Sequence, residues 1–295
     1  MHEFSHNATL RFAKVSRKQA GTSVPACCLD EWDRRLTAPD VSVCILSVAH
    51  GSDYLLVDIS NSYAKFAFAS TTRVFASTRV VTGKVSTRMV AELLGKRNVA
   101  KVVVSSVVPA KNSAILKAAG KAKVIWLDWK LKLGVEIDYP KPRSIGADRL
   151  ANAAAVTALY GCPAIVVDFG TAVTFDIVSE RRAYIGGVIA PGLEAMTNFL
   201  YQRTALLPKL SLKEPRRAIG KSTIHAMLSG AVFGYRGLVR EILAQVRAEE
   251  FPRKKVHVVA TGGYARLIAR GLPEIGMVHP NLTLEGLRIV GNLND

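Results

Sequence analysis

The sequence predicts an α/β protein assembled from two related halves. Two observations carry this reading. Apolar runs of strand length alternate with helical patterns along most of the chain. One strand–turn–strand unit also occurs twice, as LLVDISNSYAKFAF around Asp58 and AIVVDFGTAVTFDIV around Asp168, 110 positions apart. Each copy spans about a hundred residues, an ordinary domain size.

Composition narrows the class. With 295 residues, 49% of them hydrophobic, the chain can bury substantial cores. Its apolar runs fall short of the roughly 20 residues that span a bilayer, and no basic segment leads promptly into an apolar core at the N-terminus. A cytoplasmic protein with no membrane partner is expected. Cys27, Cys28, Cys44 and Cys162 show no CxxC spacing, and the six histidines are scattered, so neither a disulfide framework nor a structural zinc site is supported. The net charge is +17, but residues 1–52 hold six basic against five acidic residues, and the remaining excess of +16 is spread over many elements. A surface that favours small anions is expected, rather than a nucleic-acid face.

In chain order, residues 1–52 mix polar and small residues without a sustained period and are expected to form a poorly ordered leader. Residues 53–155 are read as a first lobe and 156–295 as a second. The first opens with the hairpin DYLLVDISNSYAKFAFAS. Buried strands AKVVVSSVVP and KAKVIWLD follow, separated by the helical AKNSAILKAAG. GADRLANAAAVTALYG reads as an Ala-rich helix with Asp148 in its first turn, where the helix dipole favours an anion, and Gly161 at its end. In the second lobe, the repeat of the hairpin leads into YIGGVIAPGLEAMTNFL, read as a Gly-rich loop entering a helix. STIHAMLSGAVFGYRGLVREILAQVRAE has apolar residues at helical spacing, and KVHVVATGGYARLIARGL reads as strand, Gly-Gly turn, helix.

Both hairpins put polar residues where a buried strand would continue with Val or Ile: Asp58 in one, and Asp168, Thr174 and Asp176 in the other. An Asp at a strand end before a turn of small residues suits an approaching polyphosphate. Small residues let main-chain N–H groups reach phosphate oxygens, while the carboxylate holds a metal or its water shell. GKST at 220–223 is not a P-loop. The earlier glycine is replaced by Pro215 and no apolar strand leads in, so Ser222 or Thr223 is expected to cap the next helix.

Taken together, the segments around Asp58 to Ser62, SSVVP, DYPKPRSIGADRL, DFGTAVTFD, GGVIAPGL, IGKST, SGAVFGYRG and TGGYA resemble, in order, those of the type III pantothenate kinases, the family of the Bvg accessory factors. The resemblance runs from Asp53 to the C-terminus. It implies a duplicated actin/Hsp70/hexokinase-like (ribonuclease H-like) fold with a nucleotide cleft between the lobes. It further implies phosphorylation of pantothenate by ATP, the first step of coenzyme A synthesis, with Mg²⁺ and a monovalent cation, K⁺ or NH₄⁺.

By the same resemblance Asp58, Ile59, Ser60, Asn61, Ser62, Tyr63, Ala64 and Lys65 would embrace the ATP phosphates, with Thr171 opposite, and Asp168 would hold the monovalent cation. Tyr139, Gly146, Ala147, Asp148, Arg149 and Thr223 would line the pantothenate pocket, with Asp148 as general base. Arg149 would pair with the substrate carboxylate or hold Asp148 ionised. A homodimer is implied as well. The chain departs from the family in having Ser60 for Gly and Ser62 for Thr, and a serine at 60 would cost roughly 1–2 kcal/mol in a left-handed backbone. Two rival readings stay open: a kinase of this fold for another small hydroxylated substrate, and a non-catalytic nucleotide-binding regulator.

Overall fold

The computed structural model describes residues 54–294. The expected leader at 1–52 lies outside the described residues, as do Cys27, Cys28 and Cys44; Cys162 is a free thiol. Tyr54–Ile59 (β1), Tyr63–Ala69 (β2), Val74–Val81 (β3), Lys101–Ser106 (β4) and Lys123–Trp126 (β5) form one sheet in the order β3-β2-β1-β4-β5. Strand β2 runs antiparallel to both β1 and β3, whereas β4 is parallel to β1 and β5 parallel to β4. All six residues of β1 are buried, as befits a central strand covered on both faces. By contrast β3, an edge strand, has no fully buried residue and so leaves only a faint sequence signal.

A second sheet contains Glu136–Ile137 (β6), Ala164–Phe169 (β7), Ala172–Val178 (β8), Ala183–Pro191 (β9), His257–Gly262 (β10) and Met277–Val278 (β11), ordered β11-β10-β7-β8-β9-β6. Apart from β6, it repeats the first sheet in both order and strand direction, with β7 in the place of β1 and β10 in that of β4. The α/β class and the duplication expected of an actin-like chain are therefore both present.

Helices Thr87–Leu94 (α1), Asn112–Ala119 (α2), Ala147–Leu159 (α3), Leu193–Arg203 (α4), Thr223–Glu250 (α5), Ala265–Ala269 (α6) and Leu282–Leu293 (α7) join and cover these strands. Helix α7, late in the chain, packs on β1, β4 and α3. The α3–α7 approach is close because α3 presents Ala151, Ala154 and Ala155, and because Gly286 has no side chain: a Cβ there would overlap the Ala151 backbone. One core gathers Leu56, Val103, Ala151 and Leu287; the other gathers Val167, Phe175, Val232 and Ala260.

Two expectations are corrected or sharpened. The Gly-rich segment read as a loop is strand β9, because Val188 and Ala190 pack against the second core while Gly186 and Gly187 let its neighbours come close. Of the two candidate caps for α5, Ser222 serves: its Oγ accepts the His225 N–H at 3.3 Å. No strand precedes it from 204 to 222, in keeping with the rejection of a P-loop.

Candidate functional site

Sheet register assembles the site. Asp58 lies beside Ser105 of β4 and Lys65 of β2, and Lys65 lies beside Arg79 of β3. Laterally paired residues share a face, so Ser105, Asp58, Lys65 and Arg79 form one polar row across the first sheet. In the second sheet Thr261, Asp168 and Thr174 form the equivalent row. The two hairpin turns touch where Ser62 Oγ and Thr171 Oγ1 lie 2.9 Å apart. Sequence-distant residues thus come together because the same hairpin was built twice.

Helix α3 adds the third component. Gly146 is its N-cap, and a Cβ there would lie 2.6 Å from Asp148 Oδ1, so the missing side chain makes room for the carboxylate. Asp148 Oδ1 also accepts the Arg149 N–H at 2.9 Å. The Arg149 side chain is hydrogen-bonded elsewhere, donating from Nε to Asp176 Oδ1 at 2.6 Å and from Nη2 to the Phe175 carbonyl at 3.2 Å. One turn on, Asn152 reaches Asp168 at 3.4 Å and Asp176 at 3.5 Å through Nδ2, and its Oδ1 accepts the Thr283 hydroxyl at 2.9 Å.

The cluster is crowded with negative charge. Burial, and then the charge of Asp148, push the Asp58 carboxyl up to about 7 against the pull of Lys65. Burial likewise raises Asp148, and it raises Asp168 against the attraction of Lys65. Burial works against the charge of Arg149 most strongly of any single cause, but Asp176, Tyr184 and Asp148 together hold the guanidinium above its ordinary range.

Tyr139, Tyr184 and Arg149 form a continuous wall. The two rings meet edge-on at 6.1 Å, and the guanidinium lies 5.7 Å from the centre of the Tyr184 ring. The short β6–β9 pairing places Tyr139 there, with Asp138 N–H bonded to the Tyr184 carbonyl at 3.0 Å.

The other expected residues differ in exposure and contacts. Ile59 and Ala64 are fully buried, so only their backbone can serve a ligand, and Ala147 packs against the first core. Asn61 and Tyr63 are exposed at the turn, where Tyr63 carries the Arg79 guanidinium 4.0 Å above its ring. Thr223 is exposed at the start of α5, and among the described residues no hydrogen bond or charge contact links it to Asp148. Ser60 is unstrained: the non-glycine residues with positive φ among those described are Arg182 and Arg253. Its N–H bonds the Tyr63 carbonyl at 3.0 Å and its carbonyl accepts the Thr82 hydroxyl at 2.7 Å. The Gly-Gly turn after β10 serves its neighbour: a Cβ on Gly262 would lie 2.5 Å from Asp168 Oδ1.

Thr261 Oγ1 is buried without a hydrogen-bond partner among the described residues, and Asp58 Oδ1 and Ser105 Oγ make no well-formed hydrogen bond, although Ser105 lies close enough to draw the Asp58 carboxyl down slightly. Unsatisfied polar atoms on both rows, beside raised carboxyls, suit a bound cation or polyphosphate. Among the described residues no three acidic, His or Cys side chains form a metal cage, so a divalent ion would draw its remaining ligands from water and phosphate, as Mg²⁺ commonly does. Asp176, Asn152 and Gly187 escaped assignment from sequence, although the unexplained Asp176 inside an apolar strand was a visible signal.

A family model described as type III pantothenate kinase matches residues 54–245. A type III pantothenate kinase of Akkermansia muciniphila is 50% identical over 242 residues, covering 82% of this chain and 99% of that protein. One from Methylacidiphilum infernorum is 41% identical over 239 residues, covering 81% and 88%. Among solved structures, a Baf family protein from Campylobacter jejuni superposes with a TM-score of 0.50 at 20% identity, over 80% of this chain and 96% of that one, which bears on the fold.

Proposed function

The chain belongs to the type III pantothenate kinase family, and we infer that it transfers the terminal phosphoryl group of ATP to the primary hydroxyl of pantothenate, giving 4′-phosphopantothenate for coenzyme A synthesis. The observation that carries the assignment of roles is the meeting of two equivalent hairpins, Ser62 to Thr171 at 2.9 Å, with a half-buried carboxylate at the start of α3 that is electrostatically coupled to Asp58 and Asp168.

Asp148 is the general base. Burial raises its carboxyl and suits it to take a proton at neutral pH. It accepts the substrate hydroxyl proton as the oxygen bonds to the γ-phosphorus and the bond to the departing ADP oxygen breaks. The turn from Asp58 to Lys65 (Asp58, Ile59, Ser60, Asn61, Ser62, Tyr63, Ala64, Lys65) receives the phosphates through main-chain N–H groups, hydroxyls and the Lys65 ammonium, and Thr171 meets them from the second sheet. Mg²⁺ held by Asp58 and the phosphates, and K⁺ or NH₄⁺ held by Asp168, would supply positive charge against the phosphate oxygens. Gly146, Ala147, Arg149, Tyr139 and Thr223 bound the pantothenate pocket.

The chain is read as two lobes, 53–155 and 156–295, with ATP between them. A homodimer is supported by exposed Met196, Phe199, Leu200 and Tyr201 on α4 and Ile224 and Phe233 on α5, an apolar face suited to a second copy. No helix among the described residues is long and apolar enough to cross a membrane, and the reading places the enzyme in the cytoplasm, where ATP is supplied. The deciding assay follows ADP release with and without pantothenate, in K⁺ and then in Na⁺ buffer. Release that requires both pantothenate and K⁺ is expected. Equal traces in all conditions at high protein concentration would overturn the assignment.

A further inference from the structure

Arg149 neighbours Asp148 in sequence, yet its side chain is committed elsewhere. Nε is taken by Asp176, which is fully buried, and Nη2 by the Phe175 carbonyl. The third nitrogen, Nη1, has no hydrogen-bond partner among the described residues. The side chain retains 14% exposure and borders the Tyr184–Tyr139 wall. Strand β9 grants this placement through Gly187, where a Cβ would overlap both Arg149 Nη2 and the Phe175 carbonyl. A guanidinium gripped on two nitrogens, with one donor edge left open beside an aromatic wall, is arranged to meet an anionic group from a ligand in a single orientation.

We infer that Asp176 is a positioning residue which, with the space left by Gly187, fixes Arg149 so that its free edge selects substrates carrying a carboxylate. The groups around this edge are consistent with that selection. Asp148, Asp58 and Asp168 lie in the same electrostatic neighbourhood and are all acidic. Lys65 acts on Asp58 and Asp168, but it is engaged with those two carboxyls, so an anionic substrate is better received where a further cation is held in place. A mobile Arg149 would instead have its own neighbour Asp148 as the nearest alternative partner. Asp176 thus serves two ends with one contact: it presents the guanidinium to the substrate and keeps it from masking Asp148.

The inference rests on the pantothenate reading, and the test separates the two. Wild-type enzyme, Asp176→Asn and Arg149→Gln are compared on pantothenate and on its alcohol analogue, in which CH₂OH replaces the carboxylate. The wild type is expected to prefer pantothenate, and Asp176→Asn to lower that preference in kcat/KM by about 10- to 100-fold, the worth of one hydrogen bond to a charged group. Arg149→Gln should lower it similarly, and the two changes combined should cost little more than either alone. Should Asp176→Asn fail to fold, Asp176→Glu, which keeps the charge but displaces it, takes its place: a folded variant with a lowered preference for pantothenate supports the inference, and an unchanged preference overturns it. A loss of activity shared equally by both substrates, leaving the preference intact, would make Asp176 merely structural and overturn the inference. A wild-type enzyme that phosphorylates neither substrate would overturn the pantothenate reading itself, and the inference with it.

Discussion

Asp58 is buried and Asp148 half-buried, and they are expected to answer differently to substitution. Asp148 sits at the start of α3 and outside both cores, so Asp148→Asn should lower kcat by about 10²–10⁴-fold while the melting temperature stays within about 2 °C of wild type. Steady-state kinetics alongside calorimetry would check this, and retained activity would remove Asp148 from the base role. For Asp58 the consequence is one of stability. A carboxyl raised from 3.8 to about 7 binds its proton more tightly in the folded chain than in the unfolded one. It therefore costs stability increasingly as pH climbs from about 4 to about 7, on the order of a few kcal/mol in total. Asp58→Asn should accordingly raise the melting temperature of the ligand-free protein at pH 8 by more than twice as much as at pH 5. Melting curves at the two pH values would decide, and the same gain at both would refute the argument.

Single elements carry their own constraints. The turn between β7 and β8 is pinned from outside by Gly192, where a Cβ would overlap the Thr171 carbonyl. Gly192→Ala is expected to displace Thr171, costing about 1–3 kcal/mol in denaturant unfolding and raising KM for ATP more than KM for pantothenate. Equal effects on the two KM values would detach this turn from the nucleotide. Helix α7 contributes differently, as the cover over β1, β4 and α3. Leu287 is fully buried there, and Leu287→Ala should cost about 2–5 kcal/mol in chemical denaturation, most of it through lost packing between helices that glycine and alanine allow to approach closely.

For the whole molecule, the proposal that two copies associate through α4 and α5 makes the apolar face testable. Phe199 is 59% exposed in the single chain. Phe199→Glu should leave the fold intact and convert a dimer to a monomer in sedimentation, because a charge at the centre of an apolar contact is costly to bury. A wild-type monomer at micromolar concentration would dispose of the proposal. If Thr223, which makes no hydrogen bond to Asp148 among the described residues, belongs to a pantothenate pocket completed by a second copy, Phe199→Glu should also depress activity by more than its effect on stability explains.

How much of this could be read in advance depended on the range of the interactions involved. The two hairpins were legible because each is a local pattern, an apolar strand ending in Asp before small residues, and its repetition announced a duplicated fold. The helix starting at Asp148 and the rejection of GKST as a P-loop were legible for the same reason. Strand β9 was not, since its glycines look like loop residues until Phe175, Arg149 and Tyr139 are seen packed against them. Asp176 drew notice only as an anomaly, because its partner Arg149 is 27 positions away on another element. By itself, then, the chain of residues determined the α/β class, the internal duplication and the candidate phosphate-binding turns, all set by short-range periodicity and backbone stereochemistry. Tertiary structure alone decided that Ser62 meets Thr171, that the Arg149 side chain pairs with Asp176, and that Asp58, Asp148, Asp168 and Asp176 act on one another. Those facts follow from sheet register and helix packing, which join residues a hundred positions apart and leave no trace in local pattern.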